Sequence, residues 1–220
     1  MTLFEKLKAA NKDVWHAYTH HEFVNGLQDG TLDQKAFQYY LIQDYLFLIH
    51  FARAYALAAY KADNLEDMKA AAATVTALTE TEMKLHVSYC AEWGITESDM
   101  QAADEDPANM AYTRYVLEKG HAGDVLDLYV ALAPCVIGYG EIGARLISDP
   151  ATKTEDNPYL PWMEMYGGEE YQPVMSGALA QLETLAEKRF TEARFDDLSK
   201  TFGAATRLEV DFWQMGLNAV

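Results

Sequence analysis

The segment Ala133-Pro-Cys-Val-Ile-Gly-Tyr-Gly-Glu141 carries the residue types most open to chemistry. Pro134 has no amide proton, so inside a helix it removes the hydrogen bond to the carbonyl of Val130 and should bend the chain. Cys135 follows directly, where backbone groups are freed and a thiolate can be stabilised. Tyr139 lies one turn further on and faces the same way, while Gly138 and Gly140 leave room for a close neighbour or a ligand. The plain alternative is a kinked core helix with an inert thiol. Two other segments set an acid three residues before an aromatic ring: Asp44 before Phe47, and Glu209 before Phe212. Both acids lie in strongly apolar stretches, where an unpaired charge is costly. A buried glutamate has its pKa raised and serves as a general acid near neutral pH. An acid beside an aromatic plate also suits a flat, nitrogen-rich heterocycle; two acids on solvated helix faces are the competing reading. The cysteines, Cys90 and Cys135, form no C-x-x-C pair, and no two histidines form H-E-x-x-H. A disulfide framework or structural zinc is therefore not expected, and Cys90 reads as a small buried hydrophobe.

Helices must position these residues. Leu3, Leu7, Ala10, Val14 and Ala17 recur at three- and four-residue steps and predict one helix. After Gly26 and Gly30, Thr31 and Gln34 have the spacing of a capping box. They open a helix free of Gly and Pro from Leu32 to about Ala62, which carries Asp44 and Phe47. A third helix is expected over about Leu65–Trp93, and a fourth over Pro107–Lys119, closed by Gly120. The fifth, about Gly123–Ile147, holds Pro134 and Cys135 and is apolar on nearly every side, the mark of a helix buried by its neighbours. Asp149–Gly168 reads as a loop with a short helix. Two helices follow, about Glu169–Lys188 and Glu192–Leu217, the second carrying Glu209. No strand, linker or internal repeat is visible, so the expectation is one all-α domain over residues 1–220.

Thirty-four acidic residues against 17 basic ones give a formal charge of −17. Such a surface repels nucleic-acid phosphate and anionic lipid, so neither nucleic acid nor a membrane is an expected partner. Half the residues are hydrophobic and 23 % charged, which excludes a disordered or fibrous chain. The opening MTLFEKLKAANKD has no apolar leader, and the longest uncharged stretch, Leu128–Gly140, is too short to span a bilayer. With two cysteines and no framework, a cytoplasmic location is expected.

The chain resembles the TenA family, the thiaminase II or aminopyrimidine aminohydrolase enzymes, in its cysteine-containing class. The resemblance runs over essentially the whole chain. Its marks are Phe23-Val-Asn-Gly26 with Asp29-Gly-Thr-Leu32, Tyr39-Tyr-Leu-Ile-Gln-Asp44 with His50-Phe-Ala52, and Glu82-Met-Lys-Leu-His86. They continue through Ala111-Tyr-Thr113, Leu132-Ala-Pro-Cys135 with Tyr139 and Glu141, Tyr166-Gly-Gly168, and Glu209 with Phe212-Trp213. The resemblance implies a haem-oxygenase-like helical bundle, usually a homotetramer, needing no cofactor, haem or metal for its reaction. It implies hydrolysis of 4-amino-5-aminomethyl-2-methylpyrimidine to the hydroxymethyl pyrimidine and ammonia, and of thiamin to that pyrimidine and the thiazole alcohol. By the same resemblance Cys135 is the nucleophile that adds to the pyrimidine ring, Glu209 the acid/base, and Asp44 the partner of the ring's amino edge. Tyr112, Tyr139, Tyr166 and Phe212 match pocket residues. Phe47 stands where familiar members have tyrosine: stacking survives and a hydroxyl is lost.

Two alternatives stay beside this reading. A di-iron or quinone-cofactor oxidase of the same fold would have a glutamate seven residues before a helical histidine, but Thr79 stands there before His86, and no histidine follows His121. A non-catalytic pyrimidine-binding or regulatory protein would have no use for a nucleophile.

Overall fold

Side-chain oxygens start several of the helices. Thr2 caps α1 (Leu3–Ala10) in a reciprocal box with Glu5, and Asp124 does the same for α9 (Val125–Ser148) with Asp127. Asp33 caps α4 (Gln34–Lys61), Asn64 caps α5 (Leu65–Ala77), and Asp106 caps α8 (Pro107–Ala122). Each satisfies an amide that the helix itself leaves unpaired. The computed structural model describes residues 1–219, and it completes this order with α2 (Lys12–Thr19), α3 (Glu22–Asp29), α6 (Met83–Ala91), α7 (Glu97–Ala102), α10 (Leu160–Gly167), α11 (Gln172–Arg189) and α12 (Phe195–Asn218). A π-helical turn, Leu78–Glu82, joins α5 to α6. No strand occurs among the described residues.

The all-α expectation holds, with local differences that have physical causes. The first predicted helix is two, because Asn11 ends α1 and spends its side-chain amide on the Leu7 carbonyl at 2.9 Å and on Ser199 of α12. Thr31 is not the cap of α4. Its hydroxyl donates to Asp29 Oδ1 at 2.6 Å, leaving Asp33 to accept from the Lys35 amide. The helices α3 and α7 lie in stretches where none was expected. The predicted Leu65–Trp93 helix is interrupted by the π turn and ends at Ala91. The fourth helix runs on through Gly120, where a Cβ would press within 2.7 Å of Leu57 and 3.0 Å of Leu128; this glycine permits close packing and does not end the helix.

The central element is α9, covered by α8, α10, α11 and α12. It is long and apolar enough to cross a membrane by composition, and 78 % of that apolar window is buried in the fold. Burial by neighbours on several sides accounts for its composition. Pro134 lies inside α9. Two tyrosines donate to carbonyls on either side of the cysteine: Tyr18 Oη to Pro134 at 3.2 Å and Tyr171 Oη to Val136 at 3.1 Å. Gly138 lets the Tyr18 ring reach that position, since a Cβ there would overlap the ring.

Candidate active site

A cavity of about 370 Å³ opens between α4, α5, α9 and α11, a volume within the usual range of small-molecule sites. Asp44 and Phe47 reach it from α4, Cys135 and Tyr139 from α9, Tyr166 from α10, and Glu82 from the π turn. Exposed Val174 and Gly177 of α11 and Ala70 of α5 also line it, so this side is its mouth. Five of the eight residues singled out in the sequence thus share one wall. The other three stand behind it. Phe212 packs edge-on to Phe47 with centroids 5.5 Å apart, Tyr112 lies 5.2 Å from the same ring, and Tyr112 Oη donates to Glu209 Oε1 at 2.7 Å. Phe47 is buried, and its ring binds the cavity wall to the group that holds Glu209.

The acids have different environments. Burial pushes the Glu209 carboxyl up to about 8; the Tyr112 hydrogen bond opposes this and the Asp44 charge adds to it. Asp44 Oδ2 takes a 2.5 Å hydrogen bond from His86 Nε2, and Tyr40 Oη lies 3.4 Å from the same oxygen. Burial alone would lower the His86 imidazolium, but the Asp44 carboxylate outweighs it and carries His86 up to about 9. His86 is therefore protonated at neutral pH. His86 Nδ1 reaches the Glu82 carbonyl at 2.9 Å, which fixes the ring. Burial also pushes Glu82 up to about 7, with His86 opposing and Asp44 adding.

Of the two readings of Cys135 that the sequence leaves open, a stabilised thiolate or an inert thiol, its surroundings favour the thiol: burial pushes it well above its ordinary value, and the charges of Glu209, Asp44 and Glu82 push it further. The resting group is the thiol. Cys90 is buried and raised to about 11 by that burial, as a structural cysteine should be. Tyr40, Glu82 and His86 stand among the family marks without a role that the sequence assigns, and Tyr171 stands outside them. The four-residue spacings Tyr40–Asp44 and Glu82–His86 were the available signal. Among the described residues no three His, Cys, Asp or Glu side chains converge as a metal would require, whereas a di-iron site is built from several such ligands.

The family model for TENA/THI-4/PQQC matches residues 8–219. The chain belongs to that family. An aminopyrimidine aminohydrolase from Halalkalibacterium halodurans is 33 % identical over 99 % of this TenA-type chain and 94 % of its own. A crystal structure from Silicibacter sp. TM1040, described as a TenA family transcription regulator, superposes with a TM-score of 0.93 at 48 % identity, covering 98 % of this chain and 96 % of that one. A Shewanella denitrificans domain of unknown function, described as having a haem-oxygenase-like fold, superposes with a TM-score of 0.72 at 15 % identity over 98 % of this chain and 92 % of its own. That last likeness concerns the fold, which is haem-oxygenase-like.

Proposed function

We propose that this chain is an aminopyrimidine aminohydrolase of thiamin salvage. It converts 4-amino-5-aminomethyl-2-methylpyrimidine and water to the hydroxymethyl pyrimidine and ammonia, and cleaves thiamin to the same pyrimidine and the thiazole alcohol. The observation that carries this reading is the pairing of Cys135, on the wall of an aromatic cavity, with Glu209, a buried acid held by Tyr112 and poised near neutral pH. The name of the Halalkalibacterium halodurans relative points the same way.

In this mechanism Asp44, oriented by His86, accepts from the amino edge of the ring, while Phe47, Tyr139 and Tyr166 flank its faces. The raised pKa of Cys135 requires that its proton leave as the sulfur adds. The S–H therefore adds across a ring carbon–nitrogen double bond: sulfur bonds to carbon, and Glu209 delivers a proton to the ring nitrogen and recovers the one from the thiol. The electron pair gained by the ring expels the substituent from the methylene carbon, leaving an exocyclic double bond. Water adds to that methylene carbon, and departure of the sulfur restores the aromatic ring and the thiol. The chain is further read as a single-domain, cytoplasmic protein that assembles as a homotetramer. Both cysteines are free, and Tyr60, Leu65 and Met68 expose apolar surface that a subunit contact would cover.

A binding-only role is favoured by the description of the Silicibacter protein as a transcription regulator, but it gives the Tyr112–Glu209 pair no task. Ammonia release from the aminomethyl pyrimidine by wild type and Cys135→Ser, after dialysis against EDTA and with thiamin in parallel, separates the two. Turnover that collapses in the variant supports the hydrolase. Binding without turnover in the wild type supports the regulator.

A further inference from the structure

The mechanism leaves one acid of the cavity wall without a task. Ala70, Thr74, Leu78 and Glu82 all line the cavity at four-residue intervals. In a straight α-helix such a row winds about 40° around the axis at each step. The π turn at Leu78–Glu82, with its wider i→i+5 geometry, takes back part of that rotation. Glu82 consequently stays on the cavity side with Leu78, and His86, four residues on, meets Asp44. The row runs inward from exposed Ala70 at the mouth, so Glu82 lies on the mouth side of the Asp44–His86 pair.

The two acids of the wall are compensated unequally. Asp44 has an imidazolium at 2.5 Å. The Glu82 carboxylate has one bond, from Tyr166 Oη at 3.4 Å, long for O–H···O; the second nitrogen of His86 is spent on the Glu82 main-chain carbonyl. Burial raises Glu82 accordingly, and a carboxylate so placed takes up a proton or a cation. The rings of Tyr55, Tyr166 and Tyr171 line the same space and lie close enough to feel the Glu82 charge. A carboxylate with aromatic faces around it is suited to an ammonium or a quaternary nitrogen.

Building on the proposed activity, we propose that Glu82 is the leaving-group subsite, its carboxylate binding the cationic substituent on the pyrimidine's methylene carbon while Asp44 holds the ring. Both substrates fit this chemistry: one carries a primary ammonium, the other a thiazolium. Glu82 thereby selects cationic leaving groups over neutral ones and holds the departing amine on the mouth side.

The test is calorimetric titration at pH 8 of Cys135→Ser protein, with and without Glu82→Gln. The two ligands are the aminomethyl pyrimidine, a cation, and the hydroxymethyl pyrimidine, its neutral counterpart. Glu82→Gln should weaken the cation by roughly 10- to 100-fold, the scale of a charge-assisted contact out of water, and the neutral ligand by less than about threefold. Equal weakening of both ligands, or of neither, overturns the assignment. Should the Gln variant not fold, the Glu82 protein alone still decides: it should prefer the cation by at least about tenfold, and equal affinity overturns the proposal. If neither ligand binds the Glu82 protein, the reading of the whole site falls and takes this one with it.

Discussion

Replacing Glu209 by Gln should stabilise the protein at alkaline pH while abolishing turnover. Glu209 is 2 % exposed and accepts from Tyr112 of α8, and its carboxyl is carried from an ordinary 4.5 up to about 8 by burial, with Tyr112 opposing and Asp44 adding. A folded-state pKa above the unfolded one means the folded protein holds this proton more tightly. That contribution is fully present below pH 4.5 and is lost as pH rises through about 8. At about 1.4 kcal/mol for each tenfold change in proton affinity, the loss has a ceiling of roughly 5 kcal/mol, and relaxation around the ion brings the expected value to about 2–3 kcal/mol. Gln keeps the shape, can still accept from Tyr112 and never ionises.

The difference in Tm between Glu209→Gln and wild type should therefore be small at pH 5, grow between pH 5 and 8, and level off above that. For a chain of this length about 2–4 °C accompanies each kcal/mol, so the plateau should lie roughly 4–12 °C in favour of the variant. Differential scanning calorimetry across pH 5–9 measures this directly, and subtraction cancels the titration of surface groups and of Glu82. Parallel curves for the two proteins would refute the burial argument. So would a variant less stable than wild type at pH 9.

Four other outcomes follow from the same geometry. Asp44→Asn removes the partner that holds His86 near 9; breaking this buried pair should cost about 3 kcal/mol or more by thermal unfolding at pH 7 and lower kcat/KM at least about 100-fold. Gly138→Ala places a methyl against the Tyr18 ring and loosens its bond to the Pro134 carbonyl, so a loss of about 1–3 kcal/mol in urea unfolding is expected together with slower turnover. Phe47→Tyr restores a hydroxyl at the cavity wall and should change the ratio of thiamin to aminomethyl-pyrimidine turnover by about fivefold, the scale of one hydrogen bond, with Cys135 still required. Iodoacetamide should alkylate Cys135 slowly at pH 7.5, and more slowly than free cysteine, because burial and three carboxylates raise the thiol; rapid alkylation at that pH would show a resting thiolate.

The parts of the site readable from the amino-acid order are those whose meaning is local. Asp44 and Phe47, or Glu209 and Phe212, share a helix face by spacing alone, and Cys135 and Tyr139 do the same. Each pair lies on the cavity wall or packed against it. His86 and Glu82 owe their places at the cavity to the π turn, which shifts the register between Leu78 and Met83; no pattern of residue types announces an i→i+5 bond. Helix α3 was hidden because Gly26 lies inside it and reads as a break. The charge state of Cys135 is not legible in the sequence for a third reason. Pro134 is a neighbour in sequence, but the thiol's affinity for its proton is set first by burial and then by the charges of Glu209, Asp44 and Glu82, from three other parts of the chain.

Under the proposed function, the electrostatics of the cavity favour a substrate that brings positive charge with it. Its wall offers Asp44 and Glu82, with Glu209 behind, and the His86 cation is already matched to Asp44. Among the described residues the cavity lining offers no cation to offset the burial and neighbouring carboxylates that keep Cys135 a thiol. Placing an ammonium or thiazolium in this space supplies the missing charge, and protonating the ring supplies more as sulfur approaches. Under the proposed function the nucleophile is thus activated by the substrate it attacks. A thiol that ionises only with substrate present is protected from oxidation and alkylation between turnovers, and water is activated only after the substituent has left. The raised Glu209 fits the same logic: an acid near 8 still carries its proton at neutral pH, and gives it up when the ring nitrogen becomes basic through sulfur addition.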